Sequence, residues 1–292
     1  MKVEIEGVEI AVIRRDPAEP SGRPLLATLH GGLYTGHYFE VAGSPGGSFV
    51  DLAARLGFST LTFDRPGYGA RAPLAPEENT FERQAELLGA AIEELAAGQP
   101  VVLVGHSIGG MIALTIAARE EGPPLIGVSA TGMGAVIPPG GASEQLAAAA
   151  QASGQAVIAL PPEHCDPVMF GPAGTFDPAV LDAAHATYAP APAVELIAAS
   201  HWAAEKLPAL APNVRVPVHN VLAEHDALWD TSAASIARFA PLFSAAPSVD
   251  ATVMPGVGHS IDHHAAGHAL HLRQLAFAHE CALRPAPRLT II

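Results

Sequence analysis

The chain has 292 residues, with 29 acidic against 15 basic side chains and a formal net charge of −14. That length supports one large α/β domain with an insertion, or two small domains, and 49% hydrophobic with 15% charged residues excludes wholesale disorder. No basic stripe is visible, so a nucleic-acid partner is not expected, and the overall field does not favour strongly anionic substrates. Acidic residues interrupt the first segment at Glu4 and Glu6, so it lacks the basic-then-apolar build of a signal peptide. No apolar run is long enough for a membrane-spanning helix, so no membrane partner is expected. Cys165 and Cys281 form neither a metal-ligand spacing nor a disulfide framework. Two unpaired thiols in a reducing cytoplasm is the simple reading.

In chain order, alternation turning at Gly7 predicts a hairpin of Lys2 to Glu6 with Val8 to Arg15. A polar, Pro-rich loop follows, Asp16 to Pro24. Leu25 to Leu29 is a short apolar run ending in His30-Gly31-Gly32, as in a buried parallel strand. A helix is predicted over Phe49 to Leu56 and a strand over Phe58 to Phe63, closed by Asp64-Arg65-Pro66-Gly67-Tyr68-Gly69. Thr80 is placed to cap a helix from Phe81 to Ala97, with Gly98 as its stop. The strand Val101 to Val104, the turn Gly105-His106-Ser107-Ile108-Gly109, a helix to about Arg119 and the strand Leu125 to Ala130 continue the alternation. Such alternation argues for a mostly parallel sheet with right-handed crossovers and helices on both faces.

The rhythm breaks after residue 130. Residues 131–212 hold Ala-rich and Pro-rich pieces with no convincing strand. Helical stretches are predicted at Ser143 to Ser153, Pro178 to Thr187 and Ala193 to Lys206, so the segment reads as a helical insertion over the sheet. Order resumes with the strand Val216 to Ala223, a piece over Thr231 to Phe239, the strand Ala251 to Met254 and a last helix from about His263 to Ala282. The organisation is therefore a core of residues 1–130 and 213–292, interrupted by a helical cap of 131–212.

Gly105-His106-Ser107-Ile108-Gly109 is Gly-x-Ser-x-Gly. The pattern alone is weak, but an apolar strand enters it and an apolar-periodic helix leaves it, the setting that a nucleophile elbow requires. Small neighbours let the chain double back, and the Ser107 hydroxyl comes to lie at a helix N-terminus, where negative charge is favoured. Acyl transfer also needs two N–H donors for the developing oxyanion. Ile108 supplies one and the His30-Gly31-Gly32 loop the other, with Gly32 first and Leu33 second. The nucleophile needs a base, and the base an orienting acid. His259, in Pro255-Gly256-Val257-Gly258-His259, and Asp226, in Ala223-Glu224-His225-Asp226, both follow strands, where open α/β sheets place ligands. Asp230 and Glu224 are rivals to Asp226, and Asp262 and His263 crowd His259.

His30-Gly31-Gly32, Asp64 to Gly69, the Ser107 turn, Asp226 and Gly258-His259 together resemble the α/β-hydrolase superfamily. The likeness is strongest to its capped group of esterases, C–C bond hydrolases, lactonases and proline iminopeptidases. It spans nearly the whole chain outside the insertion. Ser at 107 differs from the Asp that haloalkane dehalogenases and epoxide hydrolases carry there. The resemblance implies a cleaved ester, thioester or lactone of a small hydrophobic substrate, with Ser107, His259 and Asp226 as the triad. It also leaves a non-hydrolytic step on the same triad, or a ligand-binding relative. Leu33, His106, Trp202 and Trp229 are the candidate substrate-binding residues. A helix would place His264, His268 and His271 on one face, but no acidic residue completes a metal site, so neither metal nor organic cofactor is expected. A homodimer is the assembly expected, if any.

Overall fold

A computed structural model describes residues 1–19, 21–41, 43, 47–69 and 74–284. Pro20 in the first loop and residues 285–292 at the end of the 213–292 segment lie outside that set. The hairpin forms as β1 (Lys2–Ile5) and β2 (Val8–Arg15), paired antiparallel. Glu6 and Gly7 turn it with φ of 51° and 80°, the left-handed geometry that matches strand twist.

Next come β3 (Leu25–Leu29), α1 (Phe49–Arg55), β4 (Thr60–Phe63), α2 (Phe81–Ala96), β5 (Val101–His106), α3 (Ile108–Ala117) and β6 (Leu125–Thr131). The Thr80 side chain accepts a 3.0 Å hydrogen bond from the Arg83 N–H, so α2 starts where its cap predicts. The insertion contains α4 (Ala142–Ser153), β7 (Val157–Ile158), α5 (Pro162–Met169), α6 (Ala179–His185), β8 (Ala191–Pro192), α7 (Ala193–Glu205) and α8 (Leu207–Leu210). Then follow β9 (Val218–Ala223), α9 (Ala233–Ile236), β10 (Val249–Met254) and α10 (Gly267–Leu283).

The main sheet has eight strands in the order β1-β2-β4-β3-β5-β6-β9-β10. Every pairing from β4 to β10 is parallel, and β2 joins β4 antiparallel. This is the α/β-hydrolase fold. Every residue of β3, β4, β5 and β9 is buried, as parallel strands covered on both faces must be. At the C-terminal edge of β5 the sheet presents Ser107, flanked by the loops after β3, β9 and β10.

Four expectations are corrected. The insertion contains strand after all, a ribbon of two residues against two, Val157–Pro192 and Ile158–Ala191; two-residue strands leave no periodicity to read. It also contains α5, whose Pro162 and Pro167 hid it. The piece over Thr231 to Phe239 is helical for only four residues. The last helix begins at Gly267, not His263. A Cβ at Gly267 would lie 2.3 Å from the Asp262 carbonyl oxygen, because the chain folds back tightly there after a 3-10 turn at Ile261–His263. His264 therefore lies off the helix and does not share a face with His268 and His271. Among the described residues no cluster could hold a metal ion, and no helix is long and apolar enough to cross a membrane.

Candidate active site

Ser107 joins β5 to α3 with φ 53° and ψ −122°. A non-glycine residue in that region is strained, and such strain persists only where the surroundings impose it. Sterics of a single turn do so. A Cβ on Gly105 would lie 2.4 Å from the Gly109 carbonyl oxygen, and one on Gly109 only 2.0 Å from that of Leu29. Both outer positions of the motif therefore require glycine. The Ser107 N–H donates to the Thr131 carbonyl at 2.7 Å, anchoring the turn to β6. Ser107 is 8% exposed, so its hydroxyl sits in a recess and not on an open surface.

His259 and Asp226 meet across the loops after β10 and β9. The His259 Nδ1–H donates to Asp226 Oδ2 at 2.8 Å, with side-chain exposures of 1% and 0%. The two loops are tied together, since the His225 N–H donates to the Val257 carbonyl at 3.0 Å. Asp226 is held in turn, its Oδ1 accepting from the Leu228 N–H at 2.9 Å. The rivals are engaged elsewhere. Asp230 accepts from Ser235 and Ser232 beside α9. Glu224 accepts from the Gly256 N–H, and Asp262 accepts from Tyr38 and His271. The His259 ring lies 4.8 Å from that of His106, next to Ser107 in the chain. Among the described residues the Ser107 hydroxyl has no hydrogen-bond partner; a nucleophile–base bond is commonly long until substrate arrives.

The loop after β3 lies against the start of α3. A Cβ on Gly32 would be 3.1 Å from Ile108 Cδ1, and both residues line one cavity. The first N–H groups of a helix lack intrahelical acceptors, which leaves Ile108 N–H free to face a ligand. Leu33 takes φ 64°. Its carbonyl accepts from Ala189 of the insertion at 2.9 Å, and Thr35 donates to Thr187 at 3.1 Å, so the insertion braces this loop.

Gly32, Leu33, Ser107, Ile108 and Trp229 line one cavity of about 40 Å³. Sequence reasoning missed much of the rest of its wall, including Met111, Ser143, Leu146 and Leu196. Helical periodicity marks such residues as apolar, not as facing substrate. Apart from the two serines the wall is apolar, so a hydrophobic group is what it can hold. Two expected residues do not line it. Trp202 is buried in the interface of α7 with the start of α2 and faces a different hollow. His106 lies next to Ser107 in the chain, stacked on Tyr38 with ring centres 4.5 Å apart. Burial, with His259 nearby, holds His106 well below the usual histidine range, so it is neutral.

Also missed was a buried polar network at the foot of the same loop. Arg65 pairs with Glu195 of α7 at 2.9 Å, both side chains fully buried. Tyr68 donates to the same carboxylate oxygen at 2.9 Å, and Gln84 donates to the other. Glu195 lies 130 positions from Arg65, and its place in the first turn of a helix reads as an ordinary dipole partner.

Residues 26–278 match the model of the alpha/beta hydrolase family. Among solved structures, the chain superposes on a thermophilic esterase from Thermogutta terrifontis with TM-score 0.71 and 19% identity, covering 96% of this chain and 99% of that one. It superposes equally on the enol-lactonase from Burkholderia xenovorans LB400, TM-score 0.71 at 20% identity, over 95% and 99% of the two chains. The magnesium-chelatase 30 kDa subunit of Rhodobacter capsulatus is 32% identical over 111 residues, 38% of this chain and 36% of that one. The family match covers most of the chain, including the strand ends that carry Ser107, Asp226 and His259: the protein belongs to the alpha/beta hydrolase family.

Proposed function

We propose that the protein hydrolyses a carboxylic ester, thioester or lactone bearing a small hydrophobic acyl group. The observation that carries the reading is Ser107 in a strained elbow, opening on an apolar cavity beside the buried His259–Asp226 pair. Ser107 Oγ attacks the carbonyl carbon while His259 Nε2 takes the hydroxyl proton. Asp226 holds the ring in the needed tautomer and balances the imidazolium. The Gly32 and Ile108 N–H groups hold the oxyanion. Collapse expels the alcohol or thiol, which leaves with the proton from His259. Water then repeats the sequence on the acyl-enzyme, releasing the acid and free Ser107. The cavity of about 40 Å³ is narrow, so it favours a short acyl chain.

The test uses wild type and Ser107→Ala with short and medium-chain p-nitrophenyl esters, and a fluorophosphonate probe read by intact mass. One adduct and turnover in wild type, with neither in Ser107→Ala, is the expected result. Folded wild type that neither labels nor turns over ester would remove the reactive-serine assignment. The partial match to a magnesium-chelatase subunit favours a second reading, a non-hydrolytic step in small-molecule biosynthesis on the same residues. Turnover in labelled water separates the two, since hydrolysis places one solvent oxygen in the acid product.

A further inference from the structure

Arg65 stands at the centre of the buried network, and most of its donors grip the loop that carries Gly32. Its Nε donates to the His30 carbonyl at 2.9 Å, and one terminal nitrogen donates to the Gly31 carbonyl at 3.3 Å. Its backbone N–H donates to His30 Nε2 at 3.1 Å. A ring nitrogen that accepts carries no proton, so the proton of neutral His30 is on Nδ1, which donates to the Gly31 carbonyl at 2.7 Å. Burial, together with the Arg65 charge, keeps His30 neutral well below the usual range. Two donors thus fix the direction of the Gly31 carbonyl. In a planar trans peptide that carbonyl and the N–H of Gly32 point in opposite directions. Holding the Gly31 oxygen against Arg65 therefore turns the Gly32 N–H away from Arg65.

Arg65 is itself held. Its guanidinium is shared between Gln84, which accepts at 2.8 Å, and Glu195, which accepts at 2.9 Å. Glu195 belongs to α7 of the insertion, and the next residue, Leu196, both lines the cavity and approaches a Cβ built on Gly32 to 3.4 Å. One turn of one insertion helix thus meets the loop by charge and by packing. We infer that Glu195 is a positioning residue for the oxyanion donor at Gly32, acting through Arg65, so that the donor is aimed only while α7 is seated. The inference rests on the reading of Gly32 as an oxyanion donor. Breaking a buried pair by removing one charge is costly, whereas replacing both partners by apolar groups is often neutral for stability. That difference separates an effect on aim from an effect on folding.

The test compares wild type, Glu195→Gln, Tyr68→Phe and the double variant Arg65→Met/Glu195→Leu. For each, kcat and KM are measured on an ester that wild type turns over. Affinities are measured for an alkyl trifluoromethyl ketone, which adds to Ser107 and forms an oxyanion, and for an amide of the same chain length. Folding is followed by circular dichroism and Tm. Loss of one oxyanion donor costs about 100-fold or more in kcat. The expected result is a loss of that order in Glu195→Gln and in the double variant. Ketone affinity falls in parallel, KM and amide affinity stay within about twofold, and Tyr68→Phe falls between. If Glu195→Gln does not fold, the double variant, with no unpaired buried charge, carries the test alongside Tyr68→Phe. Folded variants with wild-type kcat and ketone affinity would reduce the pair to a structural tie and overturn the inference. An equal loss in amide affinity would overturn it too. A wild type that forms no ketone adduct and takes no fluorophosphonate would sink the active-site reading itself, and this inference with it.

Discussion

Lowering the pH from 7 to 5 removes stability held by buried neutral histidines, and His219 gives the measurable case. It lies on β9, 3% exposed, with Nδ1 2.9 Å from Ser129 Oγ and its ring stacked on Phe277 at 5.5 Å. Burial lowers its pKa to about 4, the Asp250 charge opposing and that of Arg273 assisting. In the unfolded chain a histidine titrates near 6.5, so below that value the unfolded state binds the extra proton. The contribution is whole above about pH 6.5 and is lost as the pH falls towards about 4. At pH 5 the two pKa values imply a loss of about 2 kcal/mol. His263, held near 4 by burial, adds a similar amount, and together they are a large share of ordinary domain stability. Urea unfolding at pH 7 and pH 5 measures the difference. His219→Asn, which keeps a polar partner for Ser129, should shrink the pH 7 to pH 5 difference by about 2 kcal/mol. An unchanged difference, or a His219 ring proton that titrates by NMR near 6.5, would refute the reasoning.

Three further outcomes follow from the site. Gly109→Ala forces a Cβ to within 2.0 Å of the Leu29 oxygen and 2.5 Å of the His30 oxygen. Neither backbone can yield without moving the elbow, so a destabilisation of about 3 kcal/mol or more is expected; an unchanged Tm would show that the turn is looser than this geometry. Trp229→Ala enlarges the cavity wall and should raise the ratio of kcat/KM for an eight-carbon over a four-carbon ester by roughly tenfold. A flat chain-length profile would place Trp229 outside the acyl path. Asp226→Asn keeps the shape but reverses the hydrogen bond to His259 Nδ1, leaving the ring in the wrong tautomer. The corresponding change in a serine protease costs about 10⁴ in kcat, and a loss of only a few-fold here would remove Asp226 as the orienting acid.

The elbow could be read from the amino-acid sequence because its constraints close within five residues. Gly105 and Gly109 are glycines for reasons of contact inside one turn and with the strand beside it, and a strand before and a helix after are visible as apolar periods. The placing of Asp226 and His259 at strand ends needed only the alternation of elements. The wall of the cavity and the brace of the loop are different in kind. Met111, Leu146 and Leu196 look like any buried helical residues until the chain is folded. His106 and Trp202 show the converse, since chemical type made them candidates and packing turned them away from the cavity. Glu195 is the extreme case: a carboxylate in the first turn of a helix has a complete local explanation, so nothing in its neighbourhood asks for a partner. Only chain closure over 130 positions brings it to Arg65, and only then does the burial of both charges demand an account. The reacting groups are thus set by sterics inside single turns and strand ends. The wall around Ser107 and the brace of the Gly32 loop are instead set by contacts between residues 131–212 and the core, which no local pattern announces.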